Sequence, residues 1–262
     1  MNHRTRTTLA ATLAFALLPF SASAADLPKA RKLIDAHVKA VGGAKAFAQA
    51  EEGMLKVTME IVEAGMKGDM TVYTRGADMT MSLTFPNYGE TLMGMIDGTT
   101  WSIDPQNGPR ILQGKEREQF AQQNDRKYAS RDESLIAKAE TTALSDSDGR
   151  ACYRVEIEWK SGDKTADCYG VDDQFLLSTE STASTPMGEI KQVTHLYDYK
   201  PMGAIKSPYK AKSKLAGMTQ LITMQSFENS KLADSVFEMP ASIAALLKKQ
   251  AEQAPAATNS SN

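Results

Sequence analysis

The sequence predicts a mainly β protein with flanking helices, an α+β chain built around an antiparallel sheet. Three observations carry that reading. Between Gly53 and Asp104, apolar and polar side chains alternate with period two, the pattern of strands with one buried and one wet face. Turn pairs interrupt the alternation at hairpin spacing: Ala64-Gly65, Arg75-Gly76, Pro86-Asn87 and Asp97-Gly98. Helical periodicity is confined to the two ends and one interior stretch.

Residues 1–24 read as a signal peptide. Arg4 and Arg6 give a positive start, and Leu9 to Phe20 is an apolar run too short for a bilayer. Ala22-Ser23-Ala24 supplies the small-x-small pattern of a cleavage site. Cleavage near Ala24-Ala25 predicts an exported, soluble periplasmic protein whose domain spans residues 25–252. Loss of the two arginines shifts the net charge from −2 to about −4. No cysteine follows the cut and no later stretch approaches a membrane helix, so no permanent membrane anchor is expected. No basic stripe with interleaved aromatics is present, which excludes nucleic acid as a partner.

Asp26 can cap a helix beginning at Leu27, with Pro28 in its first turn. Ala30, Leu33, Ile34, His37, Val38 and Val41 recur at helical spacing, and Gly42-Gly43 ends the run. A short helix, Ala44 to Ala50, leads into the sheet. Leu55, Val57, Met59 and Ile61 then share one strand face. Met66, Met70 and Val72 share the next, and Met79, Met81, Leu83 and Phe85 the third. On a fourth strand Met93 and Met95 lie with Thr91 and Asp97 while Leu92 and Ile96 take the reverse, so it is apolar on both sides. Thr99 to Ile103 is the fifth strand, with Trp101 expected to face in. Pro105 to Pro109 breaks the sheet.

From Leu112 to Lys138 charge dominates around Phe120, Leu135 and Ile136. One or two short amphipathic helices are expected there, as a lid on the sheet or as a solvated connector. Strands resume at Glu140–Leu144, Ala151–Lys160, Thr165–Val171, Phe175–Ser181, Glu189–Tyr199, Tyr209–Ala216 and Met218–Phe227. A helix is expected over Pro240–Glu252, and residues 253–262 form a small polar tail expected to be disordered.

Cys152 and Cys168 flank the hairpin around Lys160 to Asp163, and both lie opposite the apolar phase of their strands. A turn centred on Lys160 would set them face to face; one centred on Gly162 would leave them out of register. In an oxidising compartment the pair is a candidate disulfide.

Several local features coincide with a known pattern. A leading helix closes on Val41-Gly42-Gly43, and Asp97-Gly98-Thr99-Thr100-Trp101 forms a D-G-x-x-W turn and strand. Tyr197 to Pro208 and the closing Phe237-Glu238-Met239-Pro240 complete it. Together they resemble the outer-membrane lipoprotein-sorting (LolA/LolB-like) superfamily over almost all of the mature chain. The resemblance implies a curved, incomplete β-barrel, an antiparallel half-barrel sheet with helices covering its concave side and acyl chains received there. It also implies a functional arginine in the cavity. Yet Arg75 falls on the polar phase of its strand, and Arg154 alternates with the apolar residues.

Catalytic chemistry finds little support. The mature chain has only His37 and His195, and neither G-x-S-x-G nor H-E-x-x-H occurs. His37 lies beside an apolar stripe and reads as a packed histidine. His195 shares a face with Val193, Tyr197 and Tyr199, and an enzyme would need a polar cluster converging on it. Glu51-Glu52 and Asp172-Asp173 are adjacent in sequence and so point apart on a strand. No metal or other cofactor is expected, and no enzymatic activity. The functional feature is the methionine stripe, flexible and polarisable. Leu55, Val57, Met59, Met79, Met81 and Trp101 are the expected lining for an apolar small molecule, a lipid or a lipoprotein. The alternative is a filled core, with the protein acting as a scaffold toward an envelope protein.

Overall fold

The computed structural model describes residues 27–48, 52–185 and 188–253. The expected signal peptide, Asp26, Glu51, the end of the second predicted helix and the tail from residue 254 lie outside them. Among these residues thirteen strands form one antiparallel sheet, and its first and last members do not meet. The first six are β1 (Gly53–Ile61), β2 (Met66–Arg75), β3 (Asp78–Phe85), β4 (Gly89–Ile96), β5 (Thr99–Asp104) and β6 (Gly108–Ile111). After the interior helices come β7 (Ile136–Ser147), β8 (Arg150–Trp159), β9 (Lys164–Gly170), β10 (Leu176–Thr185), β11 (Gly188–Met202), β12 (Ile205–Leu215) and β13 (Met218–Asn229). The order is β6-β5-β4-β3-β2-β1-β13-β12-β11-β10-β9-β8-β7, a run of hairpins closed in the middle by β1 against β13. The whole is an open, curved half-barrel.

Among the described residues five α-helices accompany it: α1 (Ala30–Ala40), α2 (Ala44–Ala48), α3 (Gly114–Gln123), α4 (Arg126–Ala129) and α5 (Ala241–Gln253). We call the face under α1 to α4 inner. Strand register carries that face continuously across the sheet. Val155 pairs with Asp167, Asp167 with Thr179, Thr179 with Thr194 and Thr194 with Ser213. Beyond the centre, Val57 pairs with Met70, Met70 with Leu83, and Met81 with Met93.

The expected β1–β5 ladder forms with its turns as read. Elsewhere the elements depart from expectation for definable reasons. α1 begins at Ala30, because the Pro28 carbonyl accepts a 2.6 Å hydrogen bond from Thr141 Oγ1 on β7 instead of starting a turn. Pro105 to Pro109 turns the chain without ending the sheet, and Pro109 sits in β6, an edge strand that needs no N–H there. β7 begins at Ile136, inside the stretch expected to be helical. β11 and β12 extend their hairpin through Pro201 and Pro208.

Two cores lie on opposite faces. On the inner face, Ala30, Leu33 and Ile34 of α1 pack on Val155, Ile157, Trp159, Tyr169 and Leu176. On the outer face, Ile243 of α5 packs on Ile96 and Trp101. Trp101 pairs with Gly94, whose missing side chain makes room: a Cβ there would stand 2.6 Å from the indole. A 3-10 turn, Asp234–Phe237, leads into α5. Arg75 fixes it, stacking 4.3 Å over the Phe237 ring and pairing with Asp234 at 2.7 Å. Cys152 and Cys168 form a disulfide on the outer face, packed with Leu177. Register places Cys168 beside Arg154 and Cys152 beside Gly170, so the bridge runs diagonally.

Candidate ligand-binding face

Leu55, Val57, Met59, Met79 and Met81 all stand on the inner face, where register joins them to Met66, Met70, Val72, Leu83, Met93 and Met95. Trp101 does not join them. It projects from the outer face, 3% exposed beneath α5, and so lines the second core and not the methionine face. The strand itself, Thr99 to Ile103, is as expected. The error lay in the choice of side, because α5 turns what would be a solvent face into a core.

The methionine face is neither core nor surface. Met79, Val57 and Phe85 are buried, whereas Leu55, Met59, Met70, Val72, Met81, Leu83, Met93 and Met95 remain half-buried. The core under α1 is built on β7–β10 with Leu196 of β11 at its margin, and no residue of β1–β4 belongs to it. At the lower end of β2–β4, a cavity of about 440 Å³ opens between α2, α4 and the sheet. Ala44, Phe47, Ala77 and Met95 form its apolar side, and Asn124, Asp125 and Lys127 its polar side.

A polar band separates this face from the α1 core. Asp167 is fully buried and accepts hydrogen bonds from Arg131 Nε (2.8 Å), Tyr169 Oη (2.9 Å) and Thr179 Oγ1 (2.8 Å). Burial alone would raise its pKa, but the Arg131 guanidinium holds it below the usual carboxylate range. Farther along, Gln192 Nε2 and Thr194 Oγ1 converge on Ser213 Oγ at 2.8 and 3.1 Å. Sequence reasoning missed Arg131, which lies in a charged loop with no strand periodicity to place it. Its backbone is left-handed, at φ 52°, closing the turn after α4 with its N–H on the Tyr128 carbonyl.

The 112–138 segment bridges the open side of the half-barrel. At the β6 end, Arg110 grips Glu116 through two hydrogen bonds of 2.7 and 2.9 Å. Toward the other end, Lys115 meets Asp163 at 2.8 Å and Gln119 Nε2 donates to the Thr182 carbonyl at 3.1 Å. No residue of α3 is buried. Tyr128 and Arg131 are anchored more deeply, the Tyr128 ring lying 4.1 Å from Trp159.

His37 is 6% exposed and accepts from the Leu176 N–H through Nδ1 at 3.2 Å, a packed histidine as its helical position suggested. Burial, reinforced by the nearby Arg131 charge, lowers its pKa to about 4. His195 stands on the outer face, its Nδ1 3.0 Å from Ser147 Oγ. Among the described residues, no group of three or more His, Cys, Asp or Glu could hold a metal, and no helix is long and apolar enough to cross a membrane.

No protein-family model and no curated protein sequence matches the chain. Solved structures do. A DUF1329 family protein from Desulfovibrio piger is 13% identical over 81% of this chain and 98% of its own, with a TM-score of 0.56. A LolA superfamily protein from Nitrosomonas europaea is 11% identical over 81% and 99%, with a TM-score of 0.53. A domain described as an outer membrane lipoprotein-sorting protein, from Vibrio parahaemolyticus, is 12% identical over 80% and 97%, at 0.50. With thirteen antiparallel strands in an unclosed sheet and helices across its inner face, this chain has the fold of the LolA-like superfamily.

Proposed function

We propose that this protein is a non-enzymatic periplasmic carrier or chaperone that holds an apolar ligand, a lipid or the acyl chains of a lipoprotein, against its methionine face. The supporting observation is that eight apolar side chains of β1–β4 are half-buried on one face of the sheet, and that one of them, Met95, lines a cavity of about 440 Å³ at its end. Residues 25–252 act as one carrier domain, released by cleavage near Ala24-Ala25. Burying each CH₂ of a ligand on such a lining contributes about 0.8 kcal/mol. Methionine suits the task because its unbranched thioether adapts to chains of differing shape. Leu55, Val57, Met59, Met79 and Met81 carry the contact, and Trp101 supports the sheet from behind.

Access is through α3. Its ties, Arg110–Glu116 and Lys115–Asp163, involve partly exposed side chains and are each worth about 1 kcal/mol or less. The Arg131–Asp167 pair is buried and expensive to break, so the Arg131 end stays docked while α3 lifts.

Native mass spectrometry of the exported protein tests the reading, followed by titration with a fluorescent fatty-acyl probe. Retained lipid or one-to-one probe binding is expected, lost on Met81→Lys, which places a charge in the lining. A protein with neither retained lipid nor probe binding is no carrier. A protein partner recovered on the same face by crosslinking would then favour the scaffold alternative.

A further inference from the structure

The outer face of β7–β11 is not a flat margin. Ser147, at the end of β7, lies 3.0 Å from His195 of β11, and Tyr197 of β11 donates a hydrogen bond to Asp148 just beyond β7. Three strands separate β7 from β11. On a flat sheet that spacing would hold the two about 19 Å apart, at roughly 4.8 Å per strand. The outer face therefore curls upon itself, and these two contacts clasp the lower end of a groove. Buried Cys152, Cys168 and Leu177 form the floor there. Above the clasp lies a cavity of about 390 Å³, the size of a small-ligand site.

Strand register sorts the charges of this groove into rows. Glu140 pairs with Glu156, Glu156 with Ala166, Ala166 with Glu180, and Glu180 with Val193. This row is acidic, and Ala166 and Val193 are the small or apolar gaps in it. Two residues along the same strands stand Lys138, Lys164 and Lys191, with Glu158 the single acid among them. Arg154, on the other side of the acidic row, pairs with Glu156 and Glu180. Lys138 meets Glu140 at 2.8 Å and Lys164 meets Glu158 at 3.9 Å, while Lys191 has no ion pair among the described residues.

We propose that this groove binds short peptides, the free amino group on the acidic row near Glu180 and the terminal carboxylate on the row of Lys164 and Lys191. The rows are two strand residues apart, roughly 7 Å. Two extended peptide units span about the same distance, so a dipeptide reaches both rows. A single amino acid carries both charges on one Cα and reaches only one. Side chains of the peptide lie over Ala166 and Val193, where the acidic row leaves space. The groove is on the opposite face from the methionine lining and operates independently of any lipid.

Titration of the isotope-labelled protein with dialanine, followed by amide NMR, tests the assignment. Saturable shifts at Ala166, Glu180 and Val193 are expected. Alanine and acetylated, amidated dialanine should bind at least about tenfold more weakly, each losing one or both charge contacts. Glu180→Gln and Lys191→Met should each weaken dialanine about fivefold, the scale of a partly exposed charge contact, with an unchanged thermal midpoint. No saturable shift with dialanine, equal binding of the capped peptide, or full affinity in both variants would each overturn the proposal.

Discussion

Two regions of one continuous inner face have met opposite fates. Under α1, Val155, Ile157, Trp159 and Tyr169 are at most 2% exposed. Across β1–β4 the same face is apolar but only half-buried. The compositions differ to match. The filled region is β-branched and aromatic, with side chains of few rotamers that pack against one partner. The open region is rich in methionine, which specifies no single partner. An eleven-residue helix has one apolar stripe and can cover only one of the two. The difference teaches that one sheet can hold a region committed to packing beside an apolar region left half-covered, the part the proposed ligand would use, with the polar band around Asp167 between them.

The largest effect should come from breaking that divide. Asp167→Ala leaves Arg131 buried without its carboxylate and is expected to cost about 3–5 kcal/mol. Urea denaturation measures it. Replacing both partners at once, Asp167→Leu with Arg131→Met, should recover much of the loss, because the unpaired charge disappears. A single variant that loses less than about 1 kcal/mol would show that the band anchors nothing.

Next in size is a pair of truncations that sets the two regions against each other. Ile157→Ala removes a side chain packed on all sides beneath α1 and should cost about 2–5 kcal/mol. Met81→Ala removes one already half in solvent, and should cost about 1 kcal/mol or less while weakening acyl-probe binding. Equal destabilisation by both changes would mean that the methionine face is ordinary core. Loss of probe affinity in Ile157→Ala alone would move the ligand to the other region.

Much of this architecture was legible in the chain. Period-two alternation located β1–β5 and paired Met59, Met81 and their neighbours on one side, because parity is a local property. Cys152 and Cys168 were placed on a common face by the same logic. Parity could not say which side is covered. Trp101 was read inward although α5, more than a hundred residues later in the chain, buries it outward. Arg131 was illegible for a related reason. Its importance comes from Asp167, 36 residues away, and neither residue interrupts a pattern. The curl that brings Ser147 to His195 is likewise a sum of many small strand twists, invisible in any one of them.

The smallest effect sharpens the comparison through pH. His37 sits on the filled side, contributed by α1 and bonded to Leu176, with Arg131, Asp167 and Asp173 as its charged neighbours. Its folded pKa of about 4 lies below the ordinary value of 6.5, so between those limits the unfolded chain binds the extra proton. Stability from this group is complete above pH 6.5 and declines by about 3 kcal/mol as pH falls to 4. Asp167 works in a lower window, since a depressed carboxylate gives up its contribution only as pH falls below about 3.8. Urea midpoints at pH 7, 5.5 and 4.5 should trace the His37 decline, and His37→Gln should flatten it even if the variant is less stable at pH 7. No histidine lies on the methionine face among the described residues, so acyl-probe affinity per folded molecule should change little between pH 7 and 5.5, where His37 begins to cost stability. A probe affinity that falls in step with His37 protonation would show that the two regions are coupled across the polar band, and that α1 helps to shape the ligand face it does not cover.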